Sequence, residues 1–385
     1  MPESESILEV LERELDFAGA QVDPELLVRE FADRPLPHDP ELDELSEAAV
    51  IQVAECPICG CSDAVPRFAV RGTSFRLVVC ADCGLGSLDP KPTPEAVARF
   101  YPPEYYGSAG AKFAPFIESM VRKSASWTAK GLTRHLPQGS RVLDVGCGRG
   151  VLLSTIADLG FEAHGFEISG TAALGADPRA KIAIGSALRE AEYPAAAFDL
   201  VVLCHVLEHL PNPRETLVEI ERILKPGGRL VVSVPNFSSW QAELSGSDWF
   251  HLDLPRHLYH FPAAGLRRLL ENTGFTCRSE SHFSLAQNPF GWVQSLLNRY
   301  GIGPRNSLYT HLKRVGRSQP GTNRLKAIGL SAAYWLGMPI GLTLSAFSAA
   351  FRSGATITII AEAGTRTSPS QTIPPSLPAE ETIPV

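Results

Sequence analysis

Residues 140–150 read Ser-Arg-Val-Leu-Asp-Val-Gly-Cys-Gly-Arg-Gly and decide the fold. The first half of this segment predicts a buried strand. The three glycines of the second half let the backbone approach a ligand closely, and a helix is predicted to follow over Val151–Leu159. The spacing departs from the dinucleotide fingerprint Gly-x-Gly-x-x-Gly, because the third glycine comes one residue early and Asp144 stands two residues before the first. An acid there suits a cationic amino-acid ligand better than a pyrophosphate; its alternative role is a strand-end cap.

Four more apolar runs follow, with helical patterns between them, over 161–167, 181–185, 198–204 and 229–234. This alternation predicts an α/β fold, in which a largely parallel Rossmann-like sheet is joined by crossover helices. The second run ends in Glu167, and a carboxylate at that position can accept both hydroxyls of a ribose.

These motifs together resemble the class I S-adenosylmethionine (SAM)-dependent methyltransferases. The matching pieces are VLDVGCGRG at 142–150, GFEIS at 165–169, FDLVVLCHVLEHL at 198–210 and LKPGGRLVVSVPN at 224–236. The chain is most similar to the ubiquinone-biosynthesis O-methyltransferase group and to bacterial methyltransferases that carry an N-terminal zinc ribbon. The resemblance implies the class I methyltransferase sheet, SAM as the cofactor and methyl transfer as the activity.

The resemblance also implies where SAM is bound. Glu167 would hold the ribose and Ile168 would pack on the adenine. Ser186 stands where the family often has an acid for the adenine amine, and Cys147 would be a small packing residue inside the glycine turn. The full set of expected cofactor residues is Asp144, Gly146, Cys147, Gly148, Glu167, Ile168, Ser186, Ala187, Cys204 and His205.

Histidines supply the candidates for catalysis, namely His205, His209 and His257. His205, Glu208 and His209 follow the fourth core strand at spacings of i, i+3 and i+4, so a helical turn would put them on one face. They could supply a base for a hydroxyl acceptor or ligate a divalent cation; alternatively, His209 caps the turn and Glu208 pairs locally. His257 and His260 lie where this fold keeps acceptor contacts, or else they are satisfied by backbone in a structural turn.

Two Cys-x-x-Cys pairs lie upstream of the core. Cys56 and Cys59 are separated by 20 residues from Cys80 and Cys83. Such pairs can close a tetrahedral thiolate cage around a structural Zn²⁺, which predicts a zinc ribbon with short strands over 69–71 and 75–79. Cys61 is a spare thiol or an alternative ligand. Zinc ribbons often bind nucleic acid, but residues 49–107 contain no basic cluster, which disfavours that partner.

Charge is unevenly distributed along the chain. Residues 1–50 hold 15 acidic and three basic residues, whereas residues 281–361 hold eight basic residues and no acidic one. Within the basic stretch, 327–351 is uncharged, and Pro339 predicts that this run forms two short helices. The stretch suits an anionic membrane surface or a pocket for a lipid-linked acceptor, and alternatively a helical hairpin on the sheet or a dimer interface. A true span is disfavoured, because a strand over 355–361 should rejoin the sheet.

Composition and pattern divide the chain into six parts. The N-terminus is acidic and lacks a short apolar core, so we expect no signal peptide and a cytoplasmic protein, with peripheral attachment at the inner membrane surface left open. The sequence predicts no particular oligomeric state. The parts are an acidic extension (1–48), the zinc ribbon (49–107), the methyltransferase core (108–280), the basic and apolar helical insert (281–353), the last core strand (354–363) and a disordered tail (364–385).

We therefore expect an enzyme that methylates a small-molecule, glycan or lipid-linked acceptor, first of all at a hydroxyl oxygen. Two alternatives stay open. One is an RNA or protein methyltransferase guided by the ribbon, which the basic segment 299–326 favours. The other is a non-catalytic SAM-binding adaptor at a membrane surface.

Overall fold

The computed structural model describes residues 50–51, 55–69, 75–93, 96–97, 100, 115–314 and 324–364. The expected acidic extension over 1–48 lies outside these residues, as does all of the expected tail except Gly364.

The elements bear out the predicted alternation of strands and helices. The strands are β1 (Val50–Ile51), β2 (Ala64–Ala69), β3 (Arg76–Cys80), β4 (Gly86–Asp89), β5 (Lys91–Pro92), β6 (Arg141–Val145), β7 (Glu162–Glu167), β8 (Lys181–Ile184), β9 (Phe198–Cys204), β10 (Leu224–Pro235), β11 (Tyr259–His260), β12 (Phe275–Ser281) and β13 (Thr356–Ala363). The α-helices are α1 (Pro115–Thr133), α2 (Val151–Asp158), α3 (Pro213–Ile223), α4 (Trp240–Ser245), α5 (Ala263–Asn272), α6 (Asn288–Arg299), α7 (Ser307–Arg314) and α8 (Arg324–Ala350). Short 3-10 helices span Leu188–Ala191, Leu207–His209, Gly246–Asp248 and Phe250–Leu252.

A seven-stranded sheet forms the centre of the molecule, in the order β12-β13-β10-β9-β6-β7-β8. The five strands from β10 to β8 in this order run parallel. The chain moves outward from β6 through β7 to β8 and then returns to the other side of β6 with β9. Ligands of open α/β sheets bind at such a reversal, in the crevice beyond the carboxyl ends of the strands. The residues that follow β6, β7 and β9 are therefore expected to form the binding site.

The central parallel strands are largely buried on both faces, as strands covered by crossover helices must be, whereas the edge strand β8 is partly exposed. In β9 the four residues 200–203 are each at most 2% exposed. Strand β13 is antiparallel to both of its neighbours, β10 and β12, and pairs with them over nearly its whole length. The prediction that a strand near 355–361 rejoins the sheet is thus confirmed.

The cysteine-bearing segment folds as a small antiparallel sheet in the order β11-β4-β3-β2. Its first long strand begins at Ala64, earlier than the predicted strand over 69–71. The fourth strand, β11, comes from the methyltransferase core, with Tyr259 opposite Ser87 and His260 opposite Gly86. The small sheet is therefore completed by core residues.

Side chains reinforce this joint between the small sheet and the core. Buried Lys91 donates a hydrogen bond to the hydroxyl of Tyr259, and burial lowers the pKa of Lys91 to about 8. Arg268 of α5 pairs with Asp82 at 2.9 Å. Ile58 is 1% exposed and packs in the same apolar cluster as helix α5. The small sheet is thereby fixed to the core by backbone pairing, ion pairing and apolar burial.

The insert differs from the expectation in one respect. Pro339 does not divide the apolar run into two helices, because α8 continues unbroken from Arg324 to Ala350. A proline inside a helix costs about 3 kcal/mol, and the packing of α8 along α6 offsets that cost. The contact uses glycines: a Cβ at position 341 would lie 2.4 Å from the carbonyl oxygen of Pro289, and one at position 337 would lie 2.9 Å from Val293.

This close approach gives a stability test with a matched control in the same helix. Gly341→Ala should lower the free energy of unfolding by about 1–3 kcal/mol, because the new methyl group meets rigid backbone. Gly329→Ala has nothing within 4 Å of the new Cβ and should raise it by about 0.5–1 kcal/mol through helix propensity. Urea unfolding measures both. Equal midpoints for Gly341→Ala and the parent would contradict the seating of α8 on α6.

Candidate active site

The glycine turn after β6 has the conformation that the sequence predicted. Gly146, Gly148 and Gly150 all have positive φ, at 72°, 50° and 68°. A Cβ at Gly146 would lie 2.5 Å from a methyl carbon of Val206, so a larger residue cannot occupy that position without displacing the segment after β9. Cys147 is 8% exposed and packs in an interior apolar cluster with Leu153, as a packing residue should.

Two carboxylates lie at the carboxyl ends of β6 and β7. Asp144 is 6% exposed and Glu167 is 5% exposed. Burial, and then repulsion from Glu167, raises the pKa of Asp144 to about 7. Glu167 accepts hydrogen bonds from the amides of Gly148 and Ile168, both at 2.8 Å. Its carboxylate is therefore fixed beside the glycine turn, and the side chain of Ile168, 55% exposed, stands next to it.

The end of β8 contains an acid that sequence reasoning missed. Ser186 donates from its amide to Glu190 at 2.8 Å and from its hydroxyl at 2.5 Å. These hydrogen bonds lower the pKa of Glu190. The 3-10 helix Leu188–Ala191 turns the chain back, so a carboxylate does lie beside Ser186 and Ala187, although no acid directly follows the strand. The signal available in the sequence was the spacing of four residues between Ser186 and Glu190.

Cys204 and His205 end β9 on the other side of the glycine turn. His205 has a φ of 55°, which is uncommon for a residue other than glycine. Its amide donates to the carbonyl of Ser233 at 2.8 Å, which holds this conformation against β10. The side chain of His205 is 22% exposed, so its imidazole can be reached from solvent.

Glu208 is the most unusual group of the site. It is 1% exposed, and neither of its carboxylate oxygens has a hydrogen-bond partner within the part of the chain that the structure describes. The Nδ1 atom of His205 lies 3.4 Å from its Oε1. Burial alone would raise the pKa of Glu208, but the imidazoles of His205, His209 and His257 outweigh it and lower the pKa to about 2. The structure thus holds an ionised carboxylate among histidines.

His209 and His257 complete this cluster from two segments of the chain. Their ring centroids are 4.6 Å apart. The Nδ1 atom of His209 lies 2.9 Å from the carbonyl oxygen of Arg256, and that of His257 lies 2.8 Å from the carbonyl oxygen of His251. A carbonyl oxygen only accepts, so each Nδ1 carries the proton and each Nε2 has the lone pair in the neutral ring.

Burial, followed by the neighbouring His209, lowers the pKa of His257 to about 3, so the ring is neutral near pH 7. Donor atoms of Glu208, His209 and His257 lie within 4.8 Å of one another, an arrangement that could hold a cation. Metal-bound histidines commonly donate their other N–H to a carbonyl in this way. All three predicted catalytic histidines are therefore brought together around one carboxylate.

His260, the other histidine considered beside His257, has a structural setting. It is 2% exposed in β11, with Nε2 at 3.0 Å from the carbonyl oxygen of Leu252. Burial lowers its pKa to about 4. His251 and Asp253, which sequence reasoning did not assign, belong to the same buried segment. Asp253 pairs with Arg256 at 2.5 Å, and its Oδ2 lies 3.9 Å from the Nε2 of His257.

The four paired cysteines converge in the small sheet. Sγ distances are 3.4 Å between Cys56 and Cys83 and 3.5 Å between Cys59 and Cys80, and all four sulfurs lie within 4.8 Å of one another. A tetrahedral site with Zn–S bonds of about 2.3 Å has sulfur–sulfur edges of about 3.8 Å. Cys61 lies outside the set, and its thiol is directed to the carbonyl of Asp63 at 3.7 Å.

Comparison with known proteins addresses the fold and the activity together. Residues 117–280 match the family model described as a methyltransferase domain. The chain is 31% identical over 164 residues to the ubiquinone biosynthesis O-methyltransferase of Burkholderia thailandensis, covering 37% of this chain and 70% of that protein. It is 31% identical over 172 residues to the enzyme of the same name from an Azoarcus species, covering 41% of this chain and 72% of that protein.

The chain belongs to the class I SAM-dependent methyltransferases.

Two further comparisons concern a relative that is matched over a smaller share of its length and a solved structure of low identity. The enzyme of the same name from Maricaulis maris is 31% identical over 163 residues, and the match spans 64% of its length. A solved SAM-dependent methyltransferase from Archaeoglobus fulgidus is 20% identical, with a TM-score of 0.39, covering 64% of this chain and 98% of that one. The methyltransferase activity rests on the family model and the sequence relatives.

The acids of this methyltransferase fit the cofactor. SAM carries an ammonium and a sulfonium, and the raised pKa of Asp144 records a buried carboxylate that a nearby positive charge would stabilise. Glu167, which is predicted to bind the ribose, faces the glycine turn, and its oxygens are held by backbone amides. The individual contacts to SAM remain predictions, and the geometry places the expected residues along one edge of the sheet.

SAM affinity should therefore depend on pH through Asp144. Above pH 7 the free enzyme already has an ionised Asp144, so affinity should be constant. Below pH 7 the cationic ligand must displace one proton, and the affinity should fall by up to about tenfold per pH unit. Asp144→Asn should weaken binding above pH 7 and flatten the profile. Calorimetric titration at several pH values measures this dependence.

The matched control is Asp158→Asn, which removes an exposed acid of α2 and should keep the parent profile. A parental pH profile in Asp144→Asn would exclude Asp144 as the titrating group.

Proposed function

We propose that this methyltransferase acts on a hydroxyl oxygen of a small-molecule acceptor, including glycan or lipid-linked intermediates, with His205 as the general base and Glu208 as its partner. The observation that supports the proposal is the buried carboxylate of Glu208, without a hydrogen-bond partner among the described residues, at 3.4 Å from the partly exposed imidazole of His205. The relatives named ubiquinone biosynthesis O-methyltransferase support oxygen as the methylated atom.

The chemistry is an in-line displacement. SAM supplies an electrophilic methyl group, and an oxygen–carbon bond forms as the carbon–sulfur bond breaks. The acceptor proton goes to the ring of His205, whose Nδ1 side faces Glu208. The negative charge of Glu208 stabilises the resulting imidazolium and fixes the ring, which is the role of the acid in a carboxylate–histidine pair. The rest of the barrier is lowered by holding the reacting atoms in line.

A second assignment of the same cluster is a divalent-cation site formed by Glu208, His209 and His257. It is supported by the grouping of their donor atoms and by the carbonyl contacts of both Nδ1 atoms. A cation there would polarise the acceptor hydroxyl and lower its pKa. The two assignments differ in their response to metal chelation.

Replacement of His205 tests the base. His205→Ala should lower kcat by about 100-fold to 10,000-fold, the usual contribution of a general base, while SAM affinity stays within about threefold. Glu208→Gln should lower kcat in the same direction. SAM consumption with a panel of quinols, catechols, sugars and lipids gives the rates.

His135→Ala, an exposed histidine outside the site, is the control and should keep the parent rate. A parental kcat in His205→Ala would refute the base. Turnover that is lost on chelation with the ribbon zinc still present, and restored by a divalent cation, would favour the second assignment.

We also propose that Cys56, Cys59, Cys80 and Cys83 hold a structural Zn²⁺. The support is the convergence of the four sulfurs and the tight turns that follow each pair at Gly60 and Gly84, with φ of 75° and 71°. Four protein ligands leave no open position on the metal, so its contribution would be to stability.

Elemental analysis tests the zinc. The purified protein should contain about one zinc per chain, and Cys59→Ser should lose it and lower Tm by at least about 5 °C. Cys61→Ser is the control, because that thiol lies outside the cluster and its replacement should keep the metal. Full zinc content in Cys59→Ser would contradict the assignment.

A further inference from the structure

Helix α8 has an inverted distribution of side chains. From Ile328 to Ala350, every exposed position except Thr343 is apolar. A helix that faces water normally presents charged and polar residues there. The largest exposed side chains, with their exposed fractions, are Leu325 (79%), Ile328 (65%), Trp335 (61%), Leu336 (73%), Ile340 (61%), Leu342 (41%) and Phe347 (56%).

The inward face of α8 explains this inversion. Gly337 and Gly341 approach α6 so closely that a Cβ would collide, and Ser345 and Ser348 are at most 1% exposed. The helix therefore packs on the protein through these small residues together with Leu330, Tyr334 and Met338, and directs its other bulky residues outward. The segment Leu325–Ala350 is long and apolar enough to cross a membrane, with a mean hydropathy of 1.4, and only 11% of its most apolar window is buried.

The apolar face extends beyond both ends of the helix. Near its start, Tyr300 and Ile302 are 73% and 53% exposed. They belong to the loop that contains Gly303, and the side chain of Lys326 of α8 lies beside that glycine. At its end, the ring of Trp240 lies 5.8 Å from Phe347 and 5.4 Å from Phe351. Together with the outward residues of α8, these side chains form what we call the α8 face. Among these residues, Tyr300 and Trp240 are of the types that favour the boundary between lipid and water.

The segment that carries helix α8 has only positive formal charges, although Glu243 lies in the same short helix as Trp240. No acidic residue occurs between positions 281 and 361, and Arg299, Lys326 and Arg352 are exposed there. A second copy of the chain, docked about a twofold axis, would bring these same cations together. An anionic surface would attract them, at about fivefold in affinity per charge.

We propose that the α8 face docks the enzyme on an anionic lipid bilayer, with the helix lying in the plane of the membrane. Helix α8 is seated along α6, and only five residues separate its end from β13 in the central sheet. It cannot cross the bilayer without carrying the sheet with it. A helix of 27 residues is about 40 Å long, which sets the length of the immersed face. This inference does not depend on the acceptor proposed above.

Vesicle flotation tests the proposal. The full chain should float with vesicles of phosphatidylcholine mixed with phosphatidylglycerol at low salt, and at least tenfold less with phosphatidylcholine alone. Leu336→Gln combined with Ile340→Gln should lower binding to the mixed vesicles by at least tenfold at any salt concentration. Lys326→Glu combined with Arg352→Glu should lower it mainly at low salt.

The control is Val218→Gln, which replaces an exposed apolar residue of α3 and should bind vesicles as the parent does. Each variant should keep parental SAM affinity, which shows that it is folded. Absence of flotation at low salt would overturn the proposal. So would a dimer, seen by light scattering, that the Leu336/Ile340 double variant converts to a monomer without any vesicle binding. Binding that appears only after residues 1–48 are removed would assign the face to that acidic segment instead.

Discussion

A carboxylate removed from water needs nearby positive charge or hydrogen bonds, and Glu208 is buried among three imidazoles, of which that of His257 is neutral near pH 7. This requirement explains much of the surrounding structure. His205 and His209 come from the turn after β9, whereas His257 comes from a segment almost 50 residues further on. The backbone of that segment is tied to the same turn, because the amide of Leu258 donates to the carbonyl of Glu208 at 2.9 Å. Two distant parts of the chain therefore share one electrostatic centre.

The cofactor edge of the sheet has the opposite balance. There, Asp144 and Glu167 repel each other, and Glu167 is satisfied by amides whereas Asp144 is buried with a raised pKa. The protein alone leaves this edge with excess negative charge, which a cationic ligand relieves. The cluster that follows β9 thus combines one acid with histidines, whereas the ends of β6 and β7 bring two acids together, which a cationic ligand would stabilise. That division suits a reaction in which SAM must bind with the right charge and the acceptor must give up a proton.

Local sequence predicted the features that depend on local geometry. Strand ends at Asp144 and Glu167, the glycine turn and the paired cysteines all follow from short-range spacing. Features that depend on tertiary packing could not be read in this way. The proximity of His257 to Glu208, the return of Glu190 to Ser186 and the unbroken path of α8 through Pro339 each rest on contacts made by the folded chain. The helix continues through its proline because the glycines at 337 and 341 allow close packing against α6. No periodicity in the sequence predicts that contact.

The pairing of β11 with β4 bears on modularity. The cysteine-bearing sheet takes its fourth strand from Tyr259 and His260, and two residues separate this strand from the start of helix α5. If the chain were cut after residue 107 and the ribbon removed, β11 would lose its pairing with β4. The surface of α5 that packs against Ile58 would also become exposed to solvent. Conversely, a ribbon from a relative could be grafted onto this enzyme only together with a compatible 253–260 segment. What looks in sequence like a detachable module is, in the folded chain, joined to the methyltransferase core through a shared sheet.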